Sequence, residues 1–490
     1  MGARERGAFG RAVEMASQAL TIAAGPGEAW RAYEQLGLTH MAEYAGDSAW
    51  EALVTAVDLH LKSGAVQDSV VARLAAAAVA SPLRWTGTMH QLPEAAEVMR
   101  VLQLGLAHAG TADSESLASL LTAIAFLPFS AFARTNDLGM GRDEAHAAGL
   151  RARQMARRLG LPHAESAALD ALMSHATNTG RIQQAAAIVE ERMELAEAVS
   201  DPWEVGDTYA MAAWLSFDLG DYEQARDRAD KGFSRTVDDA PGVALHTLSW
   251  GAVARVQTAE WDGVADALRR AHDLLDAERR LRPPIYAAAT YAAAAMVAEF
   301  RGKSTEADRL LGLLTATWSS SDLMHITEHP HASWCRQTGP IYLRRGRFDV
   351  VEKLIAPSDS RRIGHEGDRL SLRCELVAAR QGWDEVDAAV AETRAVGQAY
   401  GMKALQAHAD RLEGRASIAA ADLKGGRALL SAARDRFSGL GDHWEAARTT
   451  LDLAGAGGDA DLAAAAELFT RIGAVAEAAT AQRLLSAAKP

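Results

Sequence analysis

The stretch Leu219-Gly-Asp-Tyr-Glu-Gln-Ala225 decides the fold. It closes one helical apolar pattern and opens another. Glycine ends the first helix in a left-handed cap. The aspartate after it suits the positive end of the second helix. The same turn recurs at Ala259-Glu-Trp-Asp-Gly-Val-Ala265, Arg345-Gly-Arg-Phe-Asp-Val-Val351 and Gln381-Gly-Trp-Asp-Glu-Val-Asp387, with related turns at Thr179-Gly-Arg-Ile182 and Arg301-Gly-Lys-Ser304. The turn positions are Gly180, Gly220, Glu260, Gly302, Gly346 and Gly382, spaced 40, 40, 42, 44 and 36 residues apart. The aromatic one or two places on (Tyr222, Trp261, Phe348 or Trp383) is expected to wedge between the paired helices. The small residue five places on (Ala185, Ala225, Ala265 or Ala307) is expected to let them approach closely.

Working outward, apolar residues keep helical spacing almost everywhere, alanine is abundant, and alternating β-branched runs are missing. Parallel-sheet runs of Val and Ile are missing too. The chain therefore reads as all-α. Helical hairpins of this kind bury their faces only by stacking, so they form a superhelix with one continuous core. Residues 30–44 and 48–62 pair around Ala45-Gly46-Asp47, and 69–80 and 94–109 pair across a longer loop with Pro82 and Pro93. Residues 131–141 read as an insertion, Gly425-Gly426 as a later turn, 454–460 as a flexible turn and 474–488 as a capping helix. The organisation expected is a single solenoid over 1–490: less regular repeats over 1–141, regular repeats over 142–456 and capping helices over 457–490.

The 490 residues carry 51 Lys+Arg against 64 Asp+Glu, a net charge of -13. That balance opposes bulk nucleic-acid binding, which needs basic residues to displace counterions from phosphate. The basic face Arg151-Ala-Arg-Gln-Met-Ala-Arg-Arg158 is short and isolated. Two cysteines, Cys335 and Cys374, exclude a disulfide framework. The N-terminus lacks the apolar core of a signal peptide, and Arg6 breaks the myristoylation pattern. The uncharged stretches 116–133 and 283–298 fall near or below the ~20 apolar residues of a membrane span. A cytoplasmic protein with no membrane association is expected.

The turn around Gly220 resembles the central turn of a tetratricopeptide repeat, at a period longer than the ~34 residues of the standard unit. The segment from Asp143-Glu-Ala-His through Arg153-Gln-Met-Ala-Arg-Arg-Leu-Gly-Leu-Pro162 to Ala168-Leu-Asp170 resembles the long repeat regions of two groups of bacterial signalling proteins. These are the large ATP-binding LuxR-type regulators and the adenylate cyclases that contain an AAA-type NTPase. Ala466-Glu-Leu-Phe-Thr-Arg-Ile-Gly-Ala-Val-Ala-Glu-Ala478 is similar to the way those regions close. The chain lacks the phosphate loop Gly-x-x-x-x-Gly-Lys-Ser/Thr, a cyclase domain and the helix-turn-helix of those proteins. The resemblance implies a right-handed superhelix serving as a regulatory or partner-binding module, without ATP hydrolysis or DNA binding.

The same resemblance supplies a groove. With the turn glycine at repeat position 15, positions 2, 5, 9, 12 and 13 face the concave side. These include Asp170, Ser174 and Asn178 in one repeat and Asp207, Ala210, Trp214, Phe217 and Asp218 in the next. Trp250, then Met296 and Phe300, then Arg336, Arg344, Arg369 and Arg380 follow. The groove is expected to have an aromatic centre with acidic residues on one side and arginines on the other. The bland alternative packs Trp214 and Trp250 between neighbouring hairpins; Trp261 and Trp383, at turns, read as core.

No catalytic motif appears: no Gly-x-Ser-x-Gly elbow, no Cys-x-x-Cys, no dinucleotide loop. Carboxylates such as Glu190, Glu191 and Glu194 read as a solvated helix face. The run His325-Ile-Thr-Glu328-His329-Pro-His331-Ala-Ser-Trp-Cys335 holds zinc-type ligands, but it is not His-Glu-x-x-His, and Pro330 breaks the helix between them. It reads as a loop entering a new repeat, with no metal and no cofactor expected. The function expected is a cytoplasmic, non-enzymatic module engaging a protein or peptide in the groove. The alternatives are a sensor enclosing a small apolar ligand among Trp214, Phe217, Trp250 and Met296, and an enzyme on the same scaffold.

Overall fold

The computed structural model describes residues 9–23, 25–130, 132, 141–277, 285–319, 329–356, 363–457 and 461–487. Among these the chain is α-helical with short 3-10 turns and no strand, and nearly every helix packs on its sequence neighbours. It is an all-α helical-repeat fold. The hairpins over the regular region pair Pro162–Asn178 with Ile182–Leu195, Pro202–Leu219 with Tyr222–Thr236, Pro241–Gln257 with Trp261–Ala277, and Ala288–Phe300 with Ser304–Ser319. Proline opens three of the first helices, where its missing N–H costs nothing. Aspartate caps helix starts as well: Asp201, before Pro202, accepts from the Trp203 N–H at 2.9 Å, and Asp461 from Ala464 at 3.0 Å.

The turns follow one geometry. A left-handed residue ends the first helix, and the next residue's N–H reaches back five positions. Gly180, Gly220, Gly302 and Gly346 have φ of 79, 85, 73 and 68°. The returning bonds run Arg181 to Ala176 and Asp221 to Ser216 at 2.8 Å, and Arg347 to Tyr342 at 2.9 Å. At two turns the register is one residue earlier than expected. Ala259 and Gln381, both at φ 55°, take the left-handed position, and Glu260 and Gly382 donate back to Arg255 and Val377 at 2.9 and 3.0 Å. The consequence is visible five places on. Ala185, Ala225 and Ala307 are fully buried as expected. Ala265, however, is exposed, and Val264 is the residue buried against the partner helix. Gly425-Gly426 is also not a turn; it lies inside Leu423–Gly439, after a turn at Ala421. A Cβ on Gly426 would meet the Gly414 carbonyl at 2.8 Å, so the glycine serves helix contact. The C-terminal helix forms as Val475–Ala487. Most of the expected insertion, residues 131 and 133–140, lies outside the described residues.

The superhelix is tight enough for one coil to touch the next. Helix starts near the C-terminus meet the turns of the middle repeats. Lys403 Nζ stands 3.0 Å from Asp221, Gln257 Nε2 donates to Asp442 at 3.0 Å, and Arg301 Nε donates to the Ile472 carbonyl at 2.8 Å. Trp444, fully buried, packs against Trp261 and Phe300 at centroid distances of 4.8 and 5.1 Å. Tyr44 likewise packs against Trp203 and Tyr286, far along the chain, at 5.8 and 4.7 Å. No helix among the described residues is long and apolar enough to cross a membrane.

Candidate functional site

Three side-chain groups stand out. The central one is aromatic. Trp214 on Pro202–Leu219 and Trp250 on Pro241–Gln257 lie 6.4 Å apart, and Trp250 lies 6.1 Å from Phe217. Trp334, 5.8 Å from Trp250, extends the row. All three tryptophans are half-buried, whereas Phe217, Tyr222 and Trp261 are fully buried beside them. Trp250 Nε1 donates to His246 Nε2 at 3.1 Å. Arg336 lies flat against the group, its guanidinium carbon 5.0 Å from the centroids of both Phe217 and Tyr222. It donates to the Tyr222 hydroxyl and faces Asp442 at 3.5 Å and Asp368 at 3.7 Å. Burial pushes the Asp368 carboxyl up to about 6 against the pull of Arg336. Burial and the neighbouring Glu445 raise Asp442.

On the N-terminal side, Arg84 and Arg192 meet Asp170, Glu204 and Asp207. Arg84 Nε donates to Asp170 at 2.9 Å, and Arg192 reaches Asp170 at 3.1 Å, Glu204 at 2.9 Å and Asp207 at 2.6 Å. Burial alone would raise Glu204; Arg84 and Arg192 outweigh it and hold the carboxyl well below its usual range. On the C-terminal side, Arg411, Arg415 and Arg448 interleave with Glu375, Glu445 and Asp452. The separation of acids from arginines expected across the groove is therefore replaced by mixed networks. A buried charge of one sign would be prohibitively costly unless paired in place.

The structure brings Trp214, Phe217, Trp250 and Arg336 together. Asp170 sits in the N-terminal ion network. Asn178 donates to the Ser174 carbonyl at 2.7 Å, one repeat away from the tryptophans. Asp218 is half-buried on the helix that carries Trp214. Met296 is 2% exposed in the core, and Arg380 pairs with Glu352 and lies over Phe348. Trp261 is buried and Trp383 half-buried. Trp334, Asp368 and Asp442 were not singled out from the sequence. A signal existed for Asp442, since Gly441-Asp442 repeats the Gly220-Asp221 turn.

His325 and Glu328 lie outside the described residues. His331, in the same run, holds Thr315 Oγ1 at 2.9 Å and the Tyr342 hydroxyl at 2.7 Å through its two ring nitrogens. Burial and His329 push it down to about 4. Burial raises the Cys335 thiol well above its usual value. Among the described residues no group of three or more His, Cys, Asp or Glu is placed to hold a metal ion. A cleft of about 230 Å³ lies elsewhere, between the helices Ile182–Leu195 and Tyr222–Thr236 and Lys403.

No protein-family model matches the chain, and no curated protein matches it. Among solved structures, yeast Tom70 aligns at 13% identity over 98% of this chain and 92% of its own, with a TM-score of 0.26. Naa15/Naa10 bound to HypK-THB aligns at 12% over 99% and 87%, with a TM-score of 0.21. A circular tandem repeat protein with novel repeat topology aligns at 13% over 98% and 94%, with a TM-score of 0.13. Likenesses this distant carry no argument about the site; the repeat is read from the chain's own turns.

Proposed function

We propose that the chain is a non-catalytic helical-repeat scaffold that binds a protein or peptide partner through the row Trp214–Trp250–Trp334. One observation supports this most: three adjacent tryptophans keep part of their surface exposed beside the fully buried Phe217, Tyr222 and Trp261. Tryptophan gives much apolar contact at low entropic cost and is enriched at binding anchors. The titratable groups beside the row are engaged with one another, as a structural network requires. The regulatory setting of the reading rests on the resemblance at Asp143 to Asp170. A cytoplasmic location and a single solenoid with irregular repeats over 1–141, regular ones over 142–456 and caps over 457–490 belong to the same proposal.

A sensor for a small apolar ligand is the second reading. The cleft of about 230 Å³ is smaller than the roughly 300 Å³ at which ligand pockets begin, and Asp221, Lys403, Glu190 and Arg228 on its wall already pair with each other. A second, more open depression of about 410 Å³ lies among Ala463, Ala466, Thr470, Arg471 and Leu485, away from the tryptophans. Native co-purification, with mass spectrometry of proteins and small molecules, tests the choice. A protein captured by the wild type and lost from Trp214→Ala is expected. The same proteins on both samples, or a stoichiometric small molecule alone, would refute it.

A further inference from the structure

Arginine lies over several aromatic faces of the chain. Arg84 lies 4.7 Å from the Trp85 centroid, Arg344 4.8 Å from Phe300, Arg380 5.4 Å from Phe348 and Arg448 5.7 Å from Trp444. Arg336 serves Phe217 and Tyr222 at once. Among the described residues no cation stands over Trp214, Trp250 or Trp334, although tryptophan offers the strongest face for one. Those three indoles are half-exposed, and their rings are tilted at 37° and 58° rather than stacked flat. Trp334 Nε1 has no hydrogen-bond partner.

Charges of both signs stand beside the row. On one side Asp170, Glu204 and Asp207 face two guanidiniums, Arg84 and Arg192. On the other, Asp368 and Asp442 face one, Arg336. Both sets are mixed and buried, and burial raises Asp170, Asp368 and Asp442 within them, so the negative balance is that of the whole chain, -13. A cation on the indoles would gain the ring faces within a chain of net charge -13.

We infer that the tryptophan row is a seat for a cationic side chain, and that the partner is a peptide segment presenting arginine. This rests on the partner-binding reading and names the chemistry of that partner. Arg336 on Phe217 and Tyr222 is the same contact already made within the chain.

The test uses calorimetry on the full chain with a peptide of three arginines spaced by Gly-Ser, and the same peptide with citrulline at those positions. Citrulline keeps the shape of arginine and removes its charge. At near-physiological salt the arginine peptide should bind roughly tenfold tighter than the citrulline peptide. Trp250→Phe, which keeps a ring, should narrow that ratio, and Trp250→Leu should erase it. An unchanged ratio in Trp250→Leu would assign the binding to bulk negative charge and overturn the inference. Binding of neither peptide at about 1 mM would overturn it as well. Equal binding of both peptides, lost in Trp250→Leu, would overturn the cation assignment and leave the partner reading standing.

Discussion

Gly346 and Gly382 occupy matching places in the sequence motif but different places in the turn, and alanine at each should act in opposite directions. Gly346 sits at φ 68° with nothing within 4 Å of where a Cβ would stand, so Gly346→Ala meets backbone strain alone. A left-handed L-residue costs roughly 1–2 kcal/mol. Loss of glycine's freedom in the unfolded chain returns roughly 0.4–1 kcal/mol. The net expectation is a destabilisation of about 1 kcal/mol. Gly382 lies outside the left-handed region, and a Cβ there would touch the flexible end of Glu385, Oε1, at 3.3 Å. Gly382→Ala should therefore be neutral or stabilising by up to about 1 kcal/mol. The strained residue of that turn is Gln381, and Gln381→Gly should relieve it. Repeat arrays open locally, so urea midpoints should be read beside hydrogen exchange at the Arg347 and Gly382 amides, which close the two turns. Equal losses for Gly346→Ala and Gly382→Ala would refute the register.

Trp444→Ala should cost roughly 3–5 kcal/mol, since the side chain is fully buried among Trp261, Phe300 and Phe469. Small-angle scattering should show the C-terminal hairpins released from the middle turns, and an unchanged envelope and midpoint would contradict the coil-to-coil contact. His331 and His408 are both pushed down to about 4, chiefly by burial. The unfolded chain takes up protons near 6.5 that the folded chain refuses, so their contribution is full above that pH and is lost as pH falls towards about 4. Imidazole resonances of both should stay neutral at pH 5.5, and a midpoint near 6.5 for either would overturn this. Elemental analysis should find no stoichiometric zinc, because His331 already holds Thr315 and Tyr342; one tightly held zinc lost on His329→Ala would overturn it.

The hairpin fold was legible because turns with an aromatic one or two places after the turn position repeat, and their spacing is nearly constant. The register slipped where Ala259 and Gln381 take a left-handed conformation that glycine signals elsewhere. Gly425-Gly426 misled because glycine for close helix contact and glycine for a turn look alike in one dimension. Of the site, the aromatic centre followed from register: Trp214 and Phe217 are three apart on one helix, with Trp250 on the next. The ion networks did not follow. Arg84 pairs with Asp170 and Glu204 across 86 and 120 residues, and Arg336 with Asp442 across 106. Such residues look solvated along their own helices, and only the tight coil buries them. Glu190 and Glu191, by contrast, do lie on surface helices, pairing with Arg228 and Arg157.

The central claim is that the half-exposed tryptophans serve a partner rather than the core, and Trp214→Ala tests it most directly. Thermal midpoint and affinity for the captured partner should be measured on the same sample. An anchoring tryptophan should lose roughly 2 kcal/mol or more of binding while the midpoint barely moves. A packing tryptophan should lose roughly 3–5 kcal/mol of stability. The account predicts the first pattern; a sharply lowered midpoint with affinity unchanged would contradict it and leave Trp214 as part of the core.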